Sequence, residues 1–343
     1  MPEVMLRHLY HDTWYGRALL APARCIRDLY RFRLMPEERF LRWRFRQAFG
    51  RELDLQNPRT FNEKLQWLKL HDRTPLHTVC ADKYTVRTYV ADRIGPQYLI
   101  PLLYHTRDPY EIRPENLPEP PFIIKTTHGS GGVTIVRDKA AADWERIRRS
   151  LRRLLRYNHY YCTKEWQYRH IPPRIIVEPL LAAEAGVVPT DYKFYCFHGK
   201  PEVIQVIAGR YVDARECFYS PDWRPLNFRL CYPFLQSPWK RPDHLEQMLD
   251  VAARLSADFY HARIDLYDEY GHVFFGEITY HSDSGFSRFD PPEWDRRLGD
   301  LLHLPTGLDA RTDKDDSRPE NVPGPVRPDR DDRRRVDRGL RWS

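Results

Sequence analysis

Phe122-Ile-Ile-Lys-Thr-Thr-His-Gly-Ser-Gly-Gly-Val-Thr-Ile-Val136 is the stretch from which the rest of this chain is read. Four apolar or β-branched residues surround a lysine, a glycine-rich segment follows, and a second β-branched run closes the unit. The pattern predicts a strand, a turn and a returning strand. Glycines at 129, 131 and 132 let backbone N–H groups converge where a Cβ would block them, and such a concavity binds phosphate oxygens. Lys125 at the end of the first strand adds a compact positive charge for the same anion. With His128 and Ser130, the hairpin is expected to cover a nucleotide phosphate. An ordinary β-turn is the plainer alternative.

The rest of the composition frames that reading. The chain has 343 residues, 41% of them hydrophobic, and a formal net charge of +7 from 55 basic and 48 acidic residues. Only ten of the basic residues are lysines, so a lysine inside an apolar strand stands out. Six cysteines occur with no CxxC pair or zinc-like spacing, which fits free thiols in a reducing cytoplasm. No apolar run approaches the roughly 20 residues of a membrane span, and the N-terminus lacks a signal-peptide core. A cytoplasmic protein without a nucleic-acid partner is expected.

Residues 1–51 carry eleven arginines against five acids among many aromatics. They read as a helical lead-in with a solvated basic face, or as an arm that touches anionic lipid. Helical spacing recurs at 37–49, and residues 59–94 read as two helices, the second starting at an Asp82 cap. A further helix is expected over 139–156 and another over 242–258. Arg174-Ile-Ile-Val-Glu-Pro179 reads as a short buried strand. Asp191–His198 and Glu202–Ile207 form a hairpin, and Ala262–Tyr267 and Val273–Thr279 form another. From residue 310 the chain is a run of Asp, Arg and Pro almost free of aliphatics, the composition of a disordered tail.

The final hairpin concentrates chemistry. Asp265 and Glu277 are carboxylates among apolar strand neighbours, where burial is costly unless they are paired or bound to a metal. Glu277 and Thr279 share a strand face, and with Asp265 they form an oxygen donor set suited to Mg²⁺. Arg263, on the face of Asp265, suits a phosphate or a substrate carboxylate. A structural ion pair of Arg263 with either acid is the alternative. Lys193 reads either as a phosphate ligand or as an ordinary strand lysine. Glu178-Pro179 reads as a strand end, or as an edge facing an adenine ring.

The order of these pieces resembles the ATP-grasp fold, and more narrowly the ATP-grasp family named for a teichuronopeptide-synthesis protein. The resemblance covers roughly residues 58–300. It rests on Thr60-Phe-Asn-Glu-Lys-Leu-Gln-Trp-Leu-Lys-Leu70, Ala81-Asp-Lys-Tyr-Thr-Val-Arg87, Lys125 with His128-Gly-Ser-Gly131, Pro173-Arg-Ile-Ile-Val-Glu178, Asp191-Tyr-Lys-Phe194, Arg263-Ile-Asp-Leu-Tyr267 and Phe275-Gly-Glu-Ile-Thr279. It implies an α+β fold in which two subdomains clamp ATP. The implied organisation is a helical region over 1–57, a pre-grasp region over 58–120, a small subdomain over 121–180, a large subdomain with the metal site over 181–305, and a charged tail from 306. Lys125 and Lys193 are then the lysines that hold the phosphates, and 129–132 is the flap. Glu178 faces adenine and ribose, Asp265 and Glu277 bind Mg²⁺, and Arg263 steadies the transferring group. Thr279 stands where many ATP-grasp enzymes carry asparagine.

The chemistry implied is ligation of a carboxylate to an amine at the expense of ATP, on uronic-acid or amino-acid parts of a surface polysaccharide. Peripheral contact of the basic N-terminal region with the membrane or a polysaccharide-synthesis complex accompanies that reading. A nucleotide-sugar glycosyltransferase and an ATP-grasp sugar or alcohol kinase are the alternatives. The tail has too few apolar residues to dock on a core. Deleting residues 310–343 is expected to leave the thermal midpoint and ATP turnover nearly unchanged, and a folded truncation with much reduced turnover would give the tail a working role.

Overall fold

The computed structural model describes residues 25–181, 189–209, 213–235 and 238–305 of the protein. The first 24 residues of the basic segment and the charged tail expected from 306 lie outside the described residues.

The chain enters through α1 (Glu37–Phe49), whose Phe40, Leu41 and Phe45 form a small core with Leu53. Helix α2 (Phe61–His71) starts at Thr60. Its side chain accepts from the Glu63 N–H while the Glu63 carboxylate accepts from the Thr60 N–H, so two otherwise orphan donors are satisfied. Two more helices follow, α3 (Pro75–Ala81) and α4 (Val86–Arg93), so the region expected to hold two helices holds three. Pro75 accounts for the break. It opens a helix readily at its first position, yet it pushes the residue before it out of helical geometry. Asp82 does not cap the last helix. It ends α3 in extended geometry, and its carboxylate accepts from Tyr84 N–H two residues on.

A four-stranded antiparallel sheet follows, from β1 (Tyr104–Thr106), β2 (Phe122–Thr126), β3 (Thr134–Val136) and β4 (Ile175–Pro179), in the order β1-β4-β2-β3. Between β3 and β4 run α5 (Trp144–Leu155) and the short α6 (Tyr160–Thr163). Helix α5 begins later than the spacing suggests, where the Asp143 carboxylate accepts the Arg146 N–H at 2.9 Å. Its Ile147 and Leu151 pack on Phe122, Ile124, Ile175 and Val177. By the period of two, Ile123, Lys125, Ile176 and Glu178 occupy the other face.

The second sheet is antiparallel throughout, in the order β10-β9-β5-β6-β7-β8. Its strands are β5 (Asp191–Phe197), β6 (Lys200–Ala208), β7 (Arg215–Tyr219), β8 (Pro225–Leu226), β9 (His261–Glu269) and β10 (His272–Thr279). Two-residue turns with positive φ at both positions, His198-Gly199 and Tyr270-Gly271, close the β5–β6 and β9–β10 hairpins. One face, with Phe194, Cys196, Ile264 and Leu266, packs on α7 (Leu245–Ser256). The opposite face presents Tyr195, Phe197 and Val203 to α2 and to α8 (Glu293–Leu301), a helix with no counterpart in the sequence reading. Both faces are covered, so β5 is buried along its whole length. Lys193 shares the second face at the end where the apolar packing stops.

Because α2 buries Phe61, Leu65 and Leu68, loosening its start loosens the sheet's cover. Thr60→Ala is expected to cost about 1 kcal/mol of unfolding free energy in urea titration. An unchanged midpoint would show that the cap contributes nothing.

Candidate active site

Three neighbouring strands of the large sheet place five polar side chains on one face. Lys193 of β5 lies opposite Asp265 of β9, Asp265 opposite Glu277 of β10, and Arg263 opposite Thr279. The register shifts between Phe275 and Glu277, and the residue that absorbs the shift is Gly276. A Cβ there would lie 3.0 Å from both the Asp265 carbonyl oxygen and the Tyr267 ring, so this bulge favours glycine. It puts Glu277 and Thr279 on the face of Asp265.

The charges interlock. Arg263 donates from Nε to Asp265 Oδ1 at 2.7 Å and from Nη2 to Oδ2 at 3.0 Å. Lys193 pairs with the same carboxylate and lies 3.7 Å from Asp191. Arg263 Nη2 also donates to Thr279 Oγ1 at 3.2 Å, and that hydroxyl donates to Glu277 Oε1 at 3.1 Å. Burial disfavours the Asp265 anion, but Arg263 and Lys193 outweigh it and hold the pKa at about 2. Glu277 is likewise held below its ordinary value. Burial and Asp265 work against its charge, and Lys83, Arg263 and Lys193 prevail. Both acids are therefore anionic at neutral pH.

The small sheet faces this array with its own pair. Lys125 Nζ sits 2.7 Å from Glu178 Oε2, and Arg87 of α4 sits 3.7 Å from Glu178 Oε1. The Glu178 backbone pairs with Ile123 inside the sheet, and the Leu180 N–H is given to Pro121, so it is the Glu178 side chain that faces outward here. Lys125, Glu178 and Arg87 line a slot whose far wall is Phe275 and Gly276 of β10. The slot has room for about 10 Å³, a water and not a purine.

The glycine hairpin joins the two halves through a residue that the sequence reading left without a role. Lys83, between α3 and α4, donates from Nζ to the Gly129 carbonyl at 3.0 Å and lies 3.2 Å from Glu277 Oε2. Gly131 and Gly132 have φ of +79° and +71°, and a Cβ on Gly132 would meet Leu154 at 2.8 Å. Ser130 is exposed. His128 does not face the phosphate side. Its buried ring puts Nε2 3.2 Å and 3.1 Å from the carbonyls of Leu154 and Tyr157, so it fastens the hairpin to the end of α5. The structure thus gathers Lys193, Arg263, Asp265, Glu277 and Thr279 into one cluster, sets Lys125 and Glu178 across from it, and removes His128 from the ligand side. Lys83 and Arg87 lie within the Ala81–Arg87 motif, but nothing in their local spacing aims them at Glu277 and Glu178 on distant strands.

Two antiparallel sheets, a slot between them, a lysine-bearing glycine hairpin on one side and paired carboxylates with Arg and Lys on the other define an ATP-grasp clamp. A family model described as TupA-like ATPgrasp matches residues 63–303, and the chain belongs to that family. No curated protein sequence matches it significantly. Among solved structures it is similar to the ATP-grasp ligase PsnB complexed with minimal precursor, at 14% identity over 66% of this chain and 61% of that one, with a TM-score of 0.37. It is also similar to D-alanine–D-alanine ligase from Bacillus anthracis, at 14% identity over 65% and 66% of the two chains, with a TM-score of 0.35. The chain thus spans less than two thirds of the length of each.

An Asp265 carboxyl held at about 2 contributes stability above the ordinary carboxyl range, and that contribution is lost as pH falls through about 2. Asp265→Asn leaves Lys193 and Arg263 without their shared anion and is expected to cost about 3–5 kcal/mol at neutral pH. Its urea midpoint should also decline less steeply than that of the wild type as the pH drops from about 4 towards acid. Parallel declines would show that Asp265 titrates normally.

Proposed function

We propose that the protein is an ATP-dependent carboxylate–amine ligase. The observation that carries this reading is the facing of Lys125 and the glycine hairpin against Lys193, Arg263, Asp265 and Glu277, with Lys83 bridging Gly129 to Glu277. Lysines from both sheets converge where a polyphosphate would lie. No nucleophile is needed from the protein, because phosphoryl transfer depends mainly on positioning and charge neutralisation.

In this reading a substrate carboxylate oxygen attacks the γ-phosphorus of ATP, the bond to the β–γ bridging oxygen breaks, and ADP leaves. The acyl phosphate is then attacked at its carbonyl carbon by an amine nitrogen. Phosphate departs, the nitrogen loses a proton, and an amide remains. Lys125 and Lys193 hold the phosphates, and Arg263 braces the transferring group. Lys83 ties the hairpin over them, and Glu178 meets the nucleoside end. Asp265, Glu277 and the Thr279 hydroxyl are hard oxygen donors, two of them anionic, and fit a Mg²⁺ ion that would neutralise phosphate oxygens. Since the slot admits only water, ATP entry requires the sheets to separate and Lys125 to exchange Glu178 for phosphate.

The family's namesake supports uronic-acid or amino-acid parts of a cell-surface polysaccharide as the joined groups, at the cytoplasmic face of the membrane. Ile26, Leu29 and Leu34 are exposed beside Arg27, Arg31 and Arg33, which supports peripheral contact with anionic lipid. Among the described residues no helix is long and apolar enough to cross a membrane.

The direct test is ADP release across a panel of uronic acids crossed with amino acids, with the amide identified by mass spectrometry. ADP release without an amide would point to a kinase. Glu277→Gln is expected to remove nearly all turnover in a folded protein, and near-normal turnover at limiting Mg²⁺ would sink its metal role.

Lys125→Ala should weaken ATP binding by calorimetry about tenfold or more and abolish nucleotide-induced hydrogen-exchange protection of residues 127–132. Lys125→Arg should recover only part of it. Unchanged affinity in Lys125→Ala would reduce the hairpin to an ordinary turn.

A further inference from the structure

Away from the slot, a second cavity of about 620 Å³ opens between the end of α1, the Thr60 end of α2 and the approach to α8. Its size lies in the range of small-ligand sites. Four guanidinium groups line it, from Arg51, Arg59, Arg288 and Arg296, beside the Phe49 and Phe289 rings. Two carboxylates also line it, but both are already engaged. Glu63 accepts from the N–H groups of Arg59 and Thr60, at 2.9 and 3.0 Å, and from Arg51. Asp295 accepts from the Asn62 N–H at 2.9 Å.

The arginines are held in place but not used up. Arg51 rests on Glu63, Arg288 donates from Nε to the Ala48 carbonyl at 2.8 Å, and Arg296 donates from Nε to Asp300 at 2.8 Å. The Arg59 side chain is exposed, and among the described residues no hydrogen bond or ion pair holds it. Four positive charges therefore meet three negative ones, Glu63, Asp295 and Asp300, and three of the planar forks each already have a partner. Such forks match the two oxygens of a carboxylate, and their prior ordering lowers the entropic cost of binding it. A docking peptide would look for backbone donors, yet the N–H groups of Arg59, Thr60 and Asn62 are all taken. The lining offers side-chain forks and ring faces, which suit a carboxylated sugar ring.

The cavity also sits on the chain segment that leaves the cleft. Between Thr279 and Arg288 the chain makes a turn at Ser282–Gly285, and the inner side of α2 grips that turn. Gln66 donates to the Gly285 carbonyl at 2.9 Å and Lys69 to the Ser284 carbonyl at 2.8 Å. We propose that this cavity binds a uronate unit of an acidic glycan, as a docking site separate from the nucleotide slot. The site goes beyond the ligase reading, and its test needs no turnover.

The test is calorimetry of the full chain with trigalacturonate at low ionic strength, alongside maltotriose and tetraglutamate as comparison probes. Trigalacturonate is expected to bind, with affinity falling as salt is added, and maltotriose is not. Arg59→Gln and Arg296→Gln should each weaken trigalacturonate about tenfold, Arg59→Lys less, while affinity for a non-hydrolysable ATP analogue stays unchanged. Lys125→Ala should bind trigalacturonate as the wild type does, and loss of binding there would overturn the separation of the two sites. The proposal also fails if the wild type does not bind trigalacturonate or if the arginine variants bind it undiminished. Tetraglutamate binding as tightly as trigalacturonate would replace the glycan with an acidic peptide.

Discussion

Asp265 is buried within β9, beside the fully buried β5, and a charge in that position is tolerable only if several cations meet it. Arg263 meets it from its own strand and Lys193 from the next, while Glu277 on the other side is met by Lys83 from outside the sheet. Removing Asp265 leaves both Arg263 and Lys193 without their shared anion. The order β10-β9-β5 brings the three strands together, and the glycine bulge at 276 turns Glu277 and Thr279 to the shared face. Around this cluster the rest of the domain is cover. Helices α2 and α8 close the same face further along, and α7 closes the other.

The cluster also explains how two sheets become one site. Lys83 touches the hairpin of the small sheet and the acid of the large one, so any movement of the hairpin is felt at Glu277. On the small sheet, Lys125 is neutralised by Glu178, and Arg87 stands beside it. Cations therefore outnumber anions along the facing surfaces. The slot's narrowness and the surplus of lysines belong to one arrangement, in which the sheets are held close by the groups that a nucleotide would recruit.

Much of this was legible in the residues. The glycine hairpin and the two strand pairs of the large sheet are local signals, and each appears where the pattern puts it. The pairing of Arg263 with Asp265 follows from their spacing on one strand. Other readings failed because local pattern was outweighed. A further helix, opened by Pro75, formed between the two expected ones, and Asp82 spent its carboxylate on a turn. His128 sat beside the hairpin glycines in sequence but turned its ring into the carbonyls at the end of α5.

Residue order alone therefore settled the glycine hairpin, the paired strands of the large sheet and the side chains that share a strand face, because those depend on neighbours within a few positions. It did not settle which strands lie side by side, that Lys83 reaches both Gly129 and Glu277, or that Arg51 and Arg59 share a cavity with Arg288 and Arg296. Those contacts join positions far apart along the chain. They exist only because burial of two apolar sheet faces under helices selected one packing, and that packing carried the charged residues at the sheet ends into reach of one another.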